Sequence, residues 1–544
     1  MDDVNDPSTA YGPALYMITH PNDNDVMKQK FPSFDYSQIS LYAQDEMNLS
    51  EYFRLTAGLR LEMPILSNPN NNFNADFDSV ARANPYTSFG GLSTADLPKN
   101  SLNVSPRLGF NWDILKNRSL ILRGGSGLYT GRIPFVWIVS AMGNANVLQY
   151  QYIANANTGN APIHFHQTIG DQLQELYGGS FQSQDLAAPT GATILAKDLK
   201  MPSAWKSSLG LDAKLPGGIN GTVEGVFSYN FNEVYASILG YKLDSLTMRL
   251  PGEPEDRLLY VNENVTNMNG GRMNGYYLHN EKGLHGYYYS ISAQLQKSFD
   301  FGLDLMAAYT YSDGKAVSDA DSDQISGFGS VVNKNGPNAP ELGYASYIAP
   351  HRVIASVGFN VRESDYVTDY FSLFYEGFNI GFNNYSYSRV SYLMNSISGI
   401  SSANQLIYIP TKNDMASMTF VSEENKAAFN NFIENDRYLS RHRGEYAERN
   451  GVLAPWLNRI NVHVSREITL NVNGKKHSLE IAADVKNVAN LLNNHWGLYK
   501  TISSNVILNY DKSSQTYTFT KPTWTNYANM ASTWSAALSF RYKF

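Results

Sequence analysis

From Trp534 to Phe544, apolar and polar residues alternate without a break. Trp534, Ala536, Leu538, Phe540, Tyr542 and Phe544 fall on one side, and Ser535, Ala537, Ser539, Arg541 and Lys543 on the other. A period of two is the mark of a half-buried β-strand, because successive side chains point to opposite faces. The same period runs through Tyr287, Tyr289, Ile291, Ala293, Leu295 and Phe299. After a short turn at Asp300–Gly302 it resumes through Leu303, Leu305, Ala307, Tyr309 and Tyr311, which reads as a hairpin.

Thirteen such segments are predicted, at 38–47, 52–63, 103–113, 119–130, 204–215, 219–230, 286–299, 302–312, 352–361, 367–379, 459–468, 477–488 and 533–544. Short turns at 48–51, 114–118, 216–218, 300–301, 362–366 and 469–476 alternate with long connections at 64–102, 131–203, 231–285, 313–351, 380–458 and 489–532. The turn at 469–476 carries Asn473-Gly474, a strong hairpin signal. Loops of this length do not belong in an ordinary compact domain. Short turns at one end and long loops at the other are the layout of an antiparallel transmembrane β-barrel, and the strand lengths suit a tilted crossing.

The two faces agree with that architecture. Phe53, Leu55, Ala57, Leu59 and Leu61 oppose Arg54, Thr56, Gly58, Arg60 and Glu62; Leu479, Ile481, Ala483 and Val485 oppose Glu480, Ala482, Asp484 and Lys486. Small residues and charges of both signs suit a watery lumen better than a sandwich core. Trp112, Tyr129, Tyr311, Tyr375 and Tyr542 lie near strand ends and are expected in the interfacial aromatic girdles. One long connection holds a predicted helix. Ser422 caps it, Glu423 and Glu424 occupy its first turn, and Phe429, Phe432 and Ile433 share a face.

Composition narrows the function. Charged residues are 17%, below the ~25% usual in soluble domains, and 37 tyrosines and 41 glycines fill the gap. Mean hydropathy is −0.34 and no run is long and apolar enough for a transmembrane helix, a test that a β-barrel escapes. Without cysteine there is no disulfide scaffold, thiolate zinc site or thiol nucleophile. A net charge of −7 with no basic block argues against a nucleic-acid partner. The opening "MDDVNDPSTAYGP" lacks the apolar core of a signal peptide, so a processed or truncated start is expected.

Several stretches between the strands resemble one family. "ISLYAQDEMNLSEYFRLTAGLRLE", "NVSPRLGFNWDI", "GRIPFVWI", "APHRVIASVGFNV", "NQLIYIPT", "YLSRHRGEYAERNG" followed by "APW", and "DVKNVANLLNNHWG" are similar to TonB-dependent outer-membrane receptors, most of all the Oar-like branch. The resemblance implies a barrel of about 22 strands around an N-terminal plug that the periplasmic protein TonB pulls. Nothing in the sequence matches a plug, a TonB box or the branch's regulatory-like domain. Thirteen antiparallel strands, an odd number, cannot close on themselves without a parallel seam. The expectation is therefore the C-terminal portion of a larger receptor in the outer membrane. Its partners would be TonB, the N-terminal half of the barrel with the plug, and a surface lipoprotein or other outer-membrane subunits. The terminal phenylalanine resembles the C-terminal signal that delivers such barrels to their assembly machinery.

Candidate chemistry is sparse. Asp319, Asp321 and Asp323 open like a calcium loop, but Gln324 stands where the loop glycine belongs and Ser330 where its glutamate belongs, so a solvated acidic loop is the favoured reading. Arg441, His442, Arg443, Glu445, Glu448 and Arg449 are packed into nine residues and read as an ion-pair network anchoring a loop, with an anionic-ligand or partner site as the alternative. His164 and His166 lack a third ligand, and Glu376 reads as a lumen-facing charge. No nucleophile elbow or phosphate loop occurs, so neither catalytic residues nor a cofactor are assigned. Two functions remain: a transporter binding a scarce ligand through tyrosine and asparagine in its loops, or a structural, adhesive or scaffold subunit.

Overall fold

The computed structural model describes residues 15–21, 32–67, 73–143, 149–155, 166–168, 171, 174, 191–266, 272–319, 324–383, 385–400, 404–472 and 474–544. Its frame is a single antiparallel sheet whose main path has thirteen strands in chain order. They are β1 (Asp35–Ser50), β2 (Phe53–Ser67), β3 (Asn103–Asp113), β4 (Leu120–Thr130), β5 (Ser203–Leu215), β6 (Ile219–Phe231) and β7 (Tyr287–Ser298). There follow β8 (Leu303–Ala316), β9 (His351–Arg362), β10 (Val367–Asn379), β11 (Trp456–Val472), β12 (Lys475–Lys486) and β13 (Ser535–Lys543). A short fourteenth strand, Gly343–Tyr344, adds to the end of β8.

All thirteen predicted segments are strands, and several overrun their predicted bounds. The β11–β12 hairpin is tighter than expected, leaving only 473–474 between its strands; Gly474 has φ +78° there, a conformation glycine adopts freely. Asn473 lies outside the described residues.

The pairing register fixes which residues share a face. Leu41 faces Leu61, Leu61 faces Val104, Leu209 faces Gly225, Gly225 faces Ile291, and Ile481 faces Phe540. The other face joins Arg123 to Gly210, Glu376 to Arg459, and Glu480 to Arg541. Burial is inverted relative to a water-soluble sheet. On the apolar face Leu41, Leu538 and Phe540 are 68%, 66% and 67% exposed, while on the polar face Ser105, Ser465 and Ala482 are 0%, 8% and 4% exposed. A protein exposing a continuous apolar wall of this size requires an apolar surrounding.

Four of the predicted girdle aromatics lie on the apolar side. Tyr129 does not. It pairs with Ala204 on the polar face, where Arg107 and Lys206 lie over its ring. Proximity to a strand end gave its height, but only its odd position in β4 gives its face.

Among the described residues the sheet does not close: β1 pairs only with β2, and β13 only with β12. Every residue of β13 is exposed.

Among the described residues, four α-helices are delimited in the long connections: α1 (Ala75–Ala83), α2 (Phe135–Gly143), α3 (Glu423–Asn435) and α4 (Val488–Leu492). Helix α3 is the predicted one. Ser422 accepts a hydrogen bond from the Asn425 amide, and Phe429 and Ile433 are fully buried. Helix α1 is capped by Asn74, whose side chain accepts from Asp76 and Phe77.

Candidate functional site

Many charges on the polar wall are paired across neighbouring strands. Arg123 on β4 donates to Asp212 at 2.9 Å and contacts Glu224 at 2.6 Å on the next two strands, and Thr222 donates to the same Asp212 at 2.8 Å. Glycine makes the room: a Cβ at Gly210 would stand 2.9 Å from the guanidinium carbon of Arg123. Glu376, as expected, lies on this face, 3.5 Å from Arg352 and 3.9 Å from Arg459. His463 lies 2.8 Å from Asp484, and Gln38 and Arg60 both donate to Glu62. The wall can therefore hold water and polar solutes without presenting a strong charge of one sign.

Beyond the strands the long connections fold into a packed cap. One apolar core gathers α3 with Leu250, Met394, Ile407, Ile409, Ile507 and Tyr517. A second gathers α2 with Leu195, Tyr235, Leu278 and Phe328. Strand fragments far apart in sequence knit the first: Leu393 pairs with Leu406 and in parallel with Val506, and Leu508 pairs with Phe519.

Asparagines complete the knitting. Asn395 accepts from the Tyr510 amide at 2.7 Å and donates to the Tyr510 carbonyl at 3.1 Å. Asn338 does the same to Ile238, Asn425 to Phe519, and Asn280 to Lys200. Each side chain replaces one rung of a β-ladder. Many loop tyrosines are equally committed. Tyr392 donates to Asp436 at 2.9 Å and Tyr408 to Asp414 at 2.8 Å, and Tyr235 and Tyr517 are fully buried. A bidentate ion pair, Arg257 with Glu253 at 2.8 and 2.7 Å, is sealed beneath Tyr446.

The charged stretch 441–449 is a network that anchors its loop. Arg443 donates to the Pro410 carbonyl and to Asn430, His442 stacks on Tyr438, and Glu448 pairs with Lys315 at 2.8 Å. Arg449 is almost wholly buried, and it donates to Asn333 at 3.1 Å and to the Ala316 carbonyl. Burial holds its guanidinium below the ordinary arginine pKa. Asp319 accepts from the Ser346 amide and from Asn450. Asp321, Asp323 and His164 lie outside the described residues, and no metal-holding cluster occurs among the described ones.

Two clefts flank the strand pair formed by Arg389–Val390 and Val452–Leu453. One, of about 580 Å³, is walled by Arg389, Arg449, Tyr387, Asp319 and several serines. The other, of about 460 Å³, is walled by Arg389, Arg437, Arg441, His442, Trp456 and Trp524. Sequence reasoning missed Arg389: "YSYSRVSY" carries no spacing that marks it, and only the fold brings it beside Asp313 and Tyr344.

A family model described as an outer membrane beta barrel domain matches residues 19–507. No curated protein matches the chain. Among solved structures, the outer membrane transporter YddB from Escherichia coli is 11% identical, with a TM-score of 0.42 over 93% of this chain and 45% of that one. The FrpB iron transporter from Neisseria meningitidis is 9% identical, with a TM-score of 0.39 over 86% and 43%. A mutant of the ferric enterobactin receptor PfeA from Pseudomonas aeruginosa is 8% identical, with a TM-score of 0.35 over 84% and 48%. The chain spans less than half the length of each of these three proteins.

Proposed function

The chain belongs to the outer membrane β-barrel domain family, whose place is the outer membrane, and from that membership we propose that it is the C-terminal barrel portion of a TonB-dependent receptor of the Oar-like type. In this reading further strands of the receptor pair with β1 and β13, a plug fills the lumen, and TonB drives import of a scarce ligand captured at the cap.

One observation carries the reading: among the described residues the wall is apolar outside, ion-paired inside, and open at both edges. An unpaired backbone group in hydrocarbon costs several kcal/mol. Strand β13 has nine residues, so its outer edge leaves about four N–H and four C=O groups without partners. The resulting penalty of roughly tens of kcal/mol is incompatible with an open edge in lipid, which favours completion by additional strands. The resemblance of the interstrand stretches to the Oar-like branch supplies the rest.

The packed cap favours a second reading, a scaffold or adhesive subunit that presents a rigid platform to a surface lipoprotein or another outer-membrane subunit. Its tyrosines and asparagines largely hold the cap together, leaving fewer of them for a ligand.

Nutrient-growth profiles separate the two. A strain lacking this protein and a strain with inactive TonB should share the same nutrient defects if the protein imports. A nutrient defect of the deletion strain that the TonB-inactive strain lacks, or no nutrient defect at all, would overturn the transport reading.

A further inference from the structure

The 580 Å³ cleft has an unusual electrostatic wall. Arg389 and Arg449 are both more than nine-tenths buried, and the Nε of each lies out of reach of solvent without a hydrogen-bond partner. Among the described residues the acceptors on the Arg449 guanidinium are neutral, the Asn333 side chain and the Ala316 carbonyl. No carboxylate lies within ion-pair distance of it among the described residues. Arg389 forms one long ion pair, 3.3 Å, to Asp313 and lies over the Tyr344 ring. Arg449, which feels Asp319 and Glu341 through space but forms no direct ion pair with either, is a source of positive potential at this wall.

The cleft also carries unused donors in front of that wall. The hydroxyls of Ser330, Ser346 and Ser386 line it and engage no protein group among the described residues, and Ser330 and Ser386 are exposed at its rim. The cleft's own acid, Asp319, is already occupied: one oxygen accepts from the Ser346 amide and the other from Asn450. What is missing is an acceptor with several oxygens.

We propose that this cleft binds an oxyanionic group, a carboxylate or a phosphate, through the hydroxyls of Ser330, Ser346 and Ser386, with Arg389 and Arg449 supplying the positive field behind them. Hydrogen bonds to an ionised acceptor are the strong class, and here they form against a wall that already favours negative charge. The site stands whether or not the protein transports, because binding is a property of the cap alone.

The test is equilibrium dialysis of the full-length protein in detergent against labelled inorganic phosphate, and separately against citrate, at constant ionic strength. Saturable binding of at least one of the two anions is expected. It should weaken at least tenfold in Ser386→Glu and in Ser330→Glu, which place a negative charge at an exposed rim position, and in Arg449→Gln. If Arg449→Gln fails to fold, the two rim variants decide. Absence of saturable binding for both anions, or unchanged binding in both rim variants, overturns the proposal. Reconstitution into phosphatidylethanolamine vesicles with and without lipid A identifies the source. Displacement of the bound anion by lipid A marks a lipid phosphate as the natural occupant, and retention marks a soluble anion; either supports the site.

Discussion

Arg541 and Glu480 stand opposite each other on β13 and β12, their side chains 3.2 Å apart on the polar side of the sheet. Phe540, one residue away, points to the other side and pairs with Ile481. The relationship fixes the register of the last strand and makes its two faces chemically unequal.

That inequality is measurable. Arginine placed on the lipid side of a barrel costs about 2–4 kcal/mol near mid-bilayer. Leu538→Arg should therefore destabilise the folded barrel by about that amount. Arg541→Ala removes only an exposed ion pair and should cost less than about 1 kcal/mol. Denaturant unfolding in liposomes gives both values, and equal costs would refute the assignment of faces.

Glycine at 210 should be as discriminating. A Cβ there meets the guanidinium of Arg123, whereas a Cβ at Gly225, on the apolar face, meets nothing closer than 4.0 Å. Gly210→Val should cost about 1–3 kcal/mol by dislodging Arg123 from Asp212 and Glu224. Gly225→Ala should be nearly neutral in the same unfolding assay.

The asparagine rungs predict a cap that fails separately from the wall. Asn395→Ala leaves the buried amide and carbonyl of Tyr510 unpaired, at about 1–3 kcal/mol for each group. Limited proteolysis should then cut within 380–458 or 489–532 while the strands stay protected. Asn435→Ala, on the exposed side of α3, should leave the digestion pattern unchanged.

Alkaline pH should loosen the cap as well. Burial pushes the Tyr438 hydroxyl up from 10.0 to about 12. Its folded pKa is above its unfolded one, so the neutral form is favoured by folding. The stability it contributes is complete below pH 10 and falls as pH rises toward 12. Tyr438→Phe should reduce the slope of cap stability over that interval, followed by tyrosinate absorbance alongside proteolysis. An unaltered slope would remove Tyr438 from the account.

The wall was legible in the sequence and the cap largely was not. Strands of nine to seventeen residues repeat a period of two often enough to be read singly. Within the cap, Leu393–Met394 and Tyr408–Ile409 are two-residue strands whose partners lie far away in sequence, so no local period exists. Helix α3 was readable from Ser422 and its two glutamates. Helix α1 carried a comparable signal, Asn74 ahead of Asp76 and Asp78, that went unread. Helix α2 has neither a side-chain cap nor a charge in its terminal turns, and "FVWIVSAMG" is apolar all round. Tyr129 shows the limit of composition, since an aromatic near a strand end does not declare its face.

The asparagine rungs also bear on how this surface can change over time. Asn338, Asn395, Asn425 and Asn280 grip the main chain of Ile238, Tyr510, Phe519 and Lys200. The residues gripped are not recognised by side chain. Such a loop can therefore exchange outward-facing residues freely while a few amides keep its shape. Drift in the sequence of the cap and constancy of its form are compatible, because the fastening reads the backbone and not the letter.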